Sequence, residues 1–338
     1  MSVDLKILSF NWHEPYLFML AKTGHRFDVI EPDQGRGFFR QWDKKTRPKP
    51  DNLSIISFPE SMKNIENGVY DLALCHNFSD VALIESLDIP VVLMFHNKLT
   101  CELALGGDTV ERKRYLKDVS SLVHRASALL FVSESKREDW GFEQGVVIPP
   151  GIDASCFTDY TGHERSILRV GSLIRERDIM LGYNIQEAIC KGFKTIILGN
   201  NPSIKNAAPA DDWYALKSHY AKSRLYLNIT LEPYEDGYNL AMLEAMAAGC
   251  PVVSYTHSKS PIIDGVNGYI SGDIEYLRMR INELLEDCDH ASRIGSNGKE
   301  TALKIFPMEK FVSRWNSAFH ATIKKYHDSM SQKNVAGC

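Results

Sequence analysis

The chain of 338 residues lacks any close pair of cysteines. Its seven (Cys75, Cys101, Cys156, Cys190, Cys250, Cys288 and Cys338) are odd in number, scattered, and form no CxxC. That argues against a disulfide framework and a zinc knuckle, and a reducing cytoplasm fits best. Long apolar runs are also missing. The longest, near 89–95 and 126–132, have the length of strands and fall far short of the roughly 20 residues of a membrane span. The first residues carry Asp4 and Lys6 directly before Ile7-Leu8-Ser9-Phe10, without the basic region, apolar stretch and cleavage site of an export signal. The expectation is a soluble, cytoplasmic protein. A large excess of one charge is absent as well: 39 Lys+Arg against 43 Asp+Glu leave a net charge of −4. No global field is available to hold nucleic acid or an anionic bilayer, so a polyanion could be held only by a local basic patch.

What is present has the composition of a globular protein. Hydrophobic residues make up 44% and charged residues 24%, enough apolar side chain for sizeable cores, and the length corresponds to about two domains. Apolar runs of strand length at 6–10, 27–31, 53–58, 72–75, 91–95 and 129–132 alternate with helix-like periodic segments. Such alternation predicts βαβ units around a parallel sheet. The stretch Val146-Val147-Ile148-Pro149-Pro150-Gly151-Ile152-Asp153 closes this block. A second series begins at 167–171 and continues at 195–198, 225–229 and 252–255. The fold class is therefore α/β, with two doubly wound domains assigned to 1–160 and 161–307 and joined near 157–166. Residues 308–328 read as a helix packing back onto the first domain, and 329–338 as a polar tail.

The richest chemistry lies in Pro233-Tyr234-Glu235-Asp236-Gly237-Tyr238-Asn239-Leu240-Ala241-Met242-Leu243-Glu244, followed by Ala245 to Ala248, Gly249, Cys250 and Pro251. From Leu240 to Ala248 strong helix formers predominate, with Gly249 placed as a C-terminal stop and Pro251 just beyond. An acidic, glycine-containing loop thus leads into a short helix. The free backbone N–H groups of Gly237, Tyr238, Asn239 and Leu240 would form a positively polarised socket suited to a phosphate. Asp236 precedes the socket and Glu244 sits one turn inside the helix, so one carboxylate could meet sugar hydroxyls and the other ribose hydroxyls. In isolation, a cap region and a solvated glutamate explain the same pattern.

Further candidates sit at the ends of strand-like runs. In open parallel sheets ligands collect outside the carboxyl ends of strands, and His96 follows Val91-Val92-Leu93-Met94-Phe95 directly. His76 follows Leu72-Ala73-Leu74-Cys75 in the same way but is the weaker candidate. Asp287-Cys288-Asp289 has the metal-binding DxD spacing, yet it follows a helix-like segment and reads as coincidence. The basic loop Lys44-Lys45-Thr46-Arg47-Pro48-Lys49 reads as a solvated surface, with contact to a phosphate-bearing or lipid-linked acceptor at a membrane face as its alternative. Segment 111–130, with Arg112, Lys113, Arg114, Lys117 and Arg125, reads equally as a membrane-touching or an ordinary half-buried helix.

The segment around Asp236 and Glu244 resembles the nucleotide-sugar motif of the family-4 retaining glycosyltransferases: Glu, seven residues, Glu, enclosing a Gly-aromatic-Gly-Leu turn. Here Asp236 replaces the first Glu, Glu244 keeps the second, and Asn239 replaces the second Gly, a substitution that a left-handed backbone would tolerate. Other blocks resemble the family in the same order: 70–76 and 89–97, each ending near a histidine; Val132-Ser133-Glu134-Ser135; the run from Val147 to Asp153; and Val170-Gly171-Ser172-Leu173-Ile174-Arg175-Glu176-Arg177. The resemblance implies a GT-B fold, two Rossmann-like domains facing across a cleft. It further implies transfer of a hexose from a nucleotide diphosphate to an acceptor hydroxyl with retention of configuration and without a required metal or cofactor. A UDP-sugar is expected ahead of a GDP-sugar.

By the same resemblance His96 and Asp236 are the catalytic candidates, while Arg177, Ser172, Gly237, Tyr238, Asn239, Leu240, Glu244 and His13 bind substrate. Arg177 stands at the place of a phosphate-binding lysine. Ser172 stands where the family usually has Arg, so one phosphate cation is missing, with Arg175 as a replacement. The first loop, Phe10-Asn11-Trp12-His13-Glu14-Pro15-Tyr16, lacks the family's paired glycines, so either a side chain such as Asn11 or His13 takes over their role or the acceptor binds differently. The implied partners are a nucleotide-sugar donor and a glycan, lipid-linked or small-molecule acceptor, with peripheral contact at the inner membrane face and no nucleic acid. Two other readings stay open: a nucleotide-sugar epimerase of the same fold, and a catalytically degenerate sugar-nucleotide binding protein.

Overall fold

A computed structural model describes residues 4–31, 41–106 and 111–336; of 333–336 only the backbone is considered. The chain divides into two compact units, residues 1–149 together with 309–338, and residues 150–308, with the break between Pro149 and Pro150.

The first unit is built on seven strands: β1 (Lys6–Phe10), β2 (Arg26–Ile30), β3 (Leu53–Ile56), β4 (Leu72–Cys75), β5 (Val91–Phe95), β6 (Ala128–Phe131) and β7 (Val146–Val147). Their order is β3-β2-β1-β4-β5-β6-β7, and every pair is parallel. The central strands are buried on both faces, as their continuous Val, Leu, Ile and Phe runs require of a sheet covered by helices. Strand β3 ends at Ile56 because Ser57 caps a helix, accepting from the Glu60 N–H, and Phe58 is already helical. Segment 111–130 yields two short helices, Arg112–Asp118 and Ser120–Arg125, before β6 begins. Three of its basic residues bind within the protein itself. Arg112 pairs with Asp139, Arg114 with Asp118, and the Arg125 guanidinium donates to the carbonyls of Glu85, Leu87 and Ile89.

The helix Met308–Ala336 runs on where a polar tail was expected. No proline or glycine interrupts 308–336, and its last turns are polar but compatible with helix. Gly337 and Cys338 lie outside the described residues. Phe311, Trp315 and Phe319, four residues apart, form the buried stripe of this helix; Phe311 and Trp315 meet Tyr16 edge-on and Phe319 meets His25.

The second unit carries β8 (Glu164–Val170), β9 (Thr195–Leu198), β10 (Ser223–Asn228), β11 (Val252–Tyr255) and β12 (Tyr269–Ser271) in the order β12-β11-β10-β8-β9, again all parallel. Its core centres on the helix Leu240–Ala248, whose residues from Met242 onward are all buried. Gly249 ends that helix at φ +83°, and a Cβ on Gly295 of the packed helix Cys288–Ile305 would lie 1.9 Å from the Gly249 carbonyl oxygen. Both glycines are therefore required, one by backbone handedness and the other by close approach.

Candidate functional site

Each sheet has one place where the strand order reverses, and crevices of open α/β sheets form there, outside the carboxyl ends of the strands. In the first unit the reversal lies between β1 and β4, in the second between β8 and β10. The loops leaving these four strands carry most of the residues singled out from the sequence.

In the first unit β1 delivers Asn11 and His13, β4 delivers His76, and neighbouring β5 delivers His96. His76 is buried, and its Nδ1 lies 2.9 Å from Nε2 of half-buried His96. Its own Nε2 is 3.1 Å from Oγ of Ser9, a buried residue of β1. Tyr16 meets the His96 ring edge-on at 4.8 Å between centroids. Burial pushes His76 down to about 3; burial, together with His76, His13 and buried Lys136, holds His96 well below the usual imidazole range. Both rings are thus neutral at pH 7. Asp80 fixes the backbone beneath them, its Oδ2 accepting from the N–H groups of His76 at 2.8 Å and Asn77 at 3.0 Å.

His13 caps the helix Glu14–Leu20 through its carbonyl, leaving its side chain close enough to depress His96. Asn11 takes another course. It is fully buried and its Nδ2 donates to Glu14 Oε1 at 3.3 Å, which also accepts from the Asp43 N–H at 3.2 Å. The amide therefore ties the first loop to the segment after residue 40. In the basic loop Lys44 and Lys45 are exposed, but Arg47 is buried and Lys49 donates to the Leu53 carbonyl. The loop is only partly the solvated surface expected.

In the second unit the acidic loop is pinned from behind. A Cβ on Gly237 would fall 2.4 Å from the Ser260 nitrogen and 2.5 Å from the Lys259 carbonyl carbon, so only glycine lets the two loops touch. His257 locks the same contact: one ring nitrogen lies 3.0 Å from the Glu235 carbonyl and the other accepts from the Lys259 N–H. Asn239 makes no use of the left-handed backbone that its residue type would tolerate. Its φ is −140° and it is the helix N-cap, its Oδ1 accepting from the Met242 N–H at 2.9 Å. Its Nδ2 donates to Asn228 Oδ1, whose own amide donates to Ser254 Oγ. A polar thread thus joins the ends of β10 and β11 to the helix start. The socket N–H groups of Asn239 and Leu240 are not spent on protein acceptors among the described residues.

Asp236 is 3% exposed and Glu244 7% exposed. Buried Tyr220 donates to Glu244 Oε2 at 3.1 Å, holding the carboxylate one turn inside the helix that Leu240 opens. Tyr238 rests its ring on Phe306 at 4.8 Å. Ser172, leaving β8, is exposed, and its Oγ accepts from the Asn200 N–H at 3.2 Å, bracing two strand-end loops. Arg175 leans over Tyr183 and donates to the Ser203 carbonyl, whereas the Arg177 guanidinium has no acidic partner among the described residues. Asp287 of the DxD accepts from the His290 N–H as the cap of Cys288–Ile305. Among the described residues no group of three or more His, Cys, Asp or Glu is arranged to hold a metal ion. Sequence reading missed Ser9, Tyr220 and His257. A serine inside the apolar run Lys6-Ile7-Leu8-Ser9-Phe10 was a visible signal; the other two had none.

Comparison with known proteins places this geometry in context. Anabaena HepE, solved with UDP and glucose, superimposes with a TM-score of 0.68 at 16% identity, covering 94% of this chain and 99% of that one. Sucrose-phosphate synthase of Thermosynechococcus elongatus does so with 0.64 at 13% identity, covering 94% and 98%. The fold is GT-B. Residues 166–287 match the family model described as Glycosyl transferases group 1. The poly(glycerol-phosphate) alpha-glucosyltransferase of Bacillus subtilis is 22% identical over 68% of this chain, and the chain spans 37% of that protein's length. The matched stretch runs from β8 through β12 to the helix Ile274–Glu286 after it.

Proposed function

We propose that this GT-B protein is a glycosyltransferase that moves a hexose from a UDP-sugar to an acceptor hydroxyl of a glycan, lipid-linked or small-molecule acceptor, with retention of configuration. The second unit holds the nucleotide and the first presents the acceptor. Glu244, oriented by Tyr220, accepts from the ribose hydroxyls, and the N–H groups at Asn239 and Leu240 together with Arg177 receive the diphosphate. Asp236 positions the sugar and stabilises positive charge developing at its reacting carbon, and His96 accepts from a substrate hydroxyl. The observation that carries the reading is the strand-order reversal at β8 and β10. There a buried acidic pair flanks a helix start pinned by Gly237 and Asn239.

That the HepE neighbour binds UDP and glucose, and that curated relatives transfer glucose or mannose, supports the choice of donor class. The test is thermal stabilisation across UDP-glucose, UDP-galactose, UDP-N-acetylglucosamine and GDP-mannose, with EDTA and with magnesium. A ligand bound only by the native state raises the melting temperature by mass action. A hit is then followed by NMR of the product's anomeric configuration in the presence of acceptors. Inversion overturns retention; a new sugar stereoisomer without transfer identifies an epimerase; no stabilisation by any donor overturns the reading.

A further inference from the structure

The hydrogen bonds behind His96 form a chain whose direction can be worked out from its buried end. Ser9 Oγ lies 3.2 Å from the Leu74 carbonyl oxygen, which can only accept, so in the arrangement that pairs a donor with an acceptor at every contact the serine proton points there. What Oγ offers to His76 Nε2 at 3.1 Å is a lone pair, and that nitrogen must carry hydrogen. A neutral His76 then has a bare Nδ1. Its partner at 2.9 Å, Nε2 of His96, must in turn be the protonated nitrogen. A neutral His96 is left with an unprotonated Nδ1 that has no hydrogen-bond partner among the described residues, on a ring that is only half-buried. Each link follows from the one before, and the orientation originates in one backbone carbonyl of β4.

We propose that Ser9 and His76 are positioning residues which fix His96 in its Nε2–H tautomer, so that His96 Nδ1 is a dedicated acceptor for a hydroxyl group of the substrate. Burial of both rings maintains the arrangement, because a proton added to His76 would set its Nδ1–H donor face to face with the His96 Nε2–H donor. His13 and Lys136, the other basic groups facing His96, add to the cost of a proton there. Tyr16 packs against the imidazole in a T-shaped contact, 4.8 Å between ring centroids. The inference rests on the proposed function only for what Nδ1 accepts from. The tautomer itself is a property of the free protein.

The test is imidazole nitrogen NMR on the full chain labelled at histidine, with signals assigned from His76→Gln and His96→Gln. The expected result is that both rings stay neutral in the Nε2–H form from pH 6 to 8. In Ser9→Ala, with folding checked by circular dichroism, the His96 tautomer is expected to average. Native His96 found in the Nδ1–H form, or averaging, overturns the relay, and so does a His96 signal unchanged in Ser9→Ala. UDP-glucose is then added. A shift confined to His96 Nδ1 confirms the hydroxyl acceptor. Fixed tautomers with no shift, although UDP-glucose stabilises the protein in the melting test, overturn the assignment of Nδ1 to the substrate and leave the relay standing. Without that stabilisation the proposed function fails instead. With an active acceptor pair, Ser9→Ala should lower kcat about tenfold at unchanged KM for UDP-glucose, whereas a purely structural role would leave kcat and the tautomer alike unmoved.

Discussion

The reversal points of the two sheets use opposite chemistry. That of the first unit collects neutral imidazoles, His76 and His96, held by a serine and a backbone carbonyl and kept uncharged by burial. That of the second collects carboxylates, Asp236 and Glu244, beside a helix start and an arginine, Arg177, with no acidic partner among the described residues. The same topology therefore supplies the location, while the strand-end loops decide whether the site works by directional neutral hydrogen bonds or by charge. The first kind is sensitive to proton inventory and the second to removal of a charge or a cradle.

The largest expected effect lies on the charged side: Asp236→Ala should lower turnover by about 10²–10³-fold with the fold intact, the usual cost of one preorganised electrostatic group. Turnover near the native value in a steady-state assay would remove Asp236 from the chemistry. Gly237→Ala comes next. Its Cβ has to displace the backbone at Lys259 and Ser260, so a loss of roughly 1–3 kcal/mol in urea unfolding is expected, with weakened UDP-glucose binding.

For the neutral side the comparison is sharpened by acid. The unfolded chain protonates its histidines near pH 6.5, whereas folded His76 resists down to about 3. The stability contributed by keeping it neutral is fully present above about pH 6.5 and is lost as the pH falls toward 3, with a slope of about 1.4 kcal/mol per pH unit. Denaturant midpoints at pH 7 and 5 should therefore converge in His76→Gln; an unaltered acid limb would show that the ring is charged in the native state. Glu244→Gln should weaken UDP-glucose binding about tenfold by calorimetry and Tyr220→Phe roughly threefold, because the first removes a charged acceptor and the second only its orienting bond. Ser172→Ala should be the smallest, within about threefold in UDP affinity, since its hydroxyl braces Asn200; a tenfold loss would return it to the phosphate site.

The sequence was most readable where a pattern is local. The apolar runs of β1, β2, β4, β5 and β11 follow from period and composition, and Gly249 ends its helix because a left-handed residue is needed there. Candidates for the site were readable where a residue follows a strand, as with His96, or lies in a compact motif, as with Asp236 and Glu244. The capping role of Asn239 went unread because a cap and a left-handed turn favour the same residue type. Tyr220 escaped because it reaches Glu244 across 24 residues, a pairing set only when the helix Trp213–Lys222 packs beside the helix Leu240–Ala248.

By itself, then, the sequence determined two runs of parallel βαβ structure, the helix start with its acidic neighbours, and the presence of histidines at two strand ends, since these depend on nearest-neighbour sterics and hydrophobic period. Tertiary structure alone decided which of those residues meet. Ser9, His76 and His96 come from β1 and the ends of β4 and β5, and their distances exist only once the strand order β1-β4-β5 is set. The direction of their hydrogen bonds is fixed by burial, because away from water a serine proton, a carbonyl and two neutral rings have a single arrangement in which every contact pairs a donor with an acceptor.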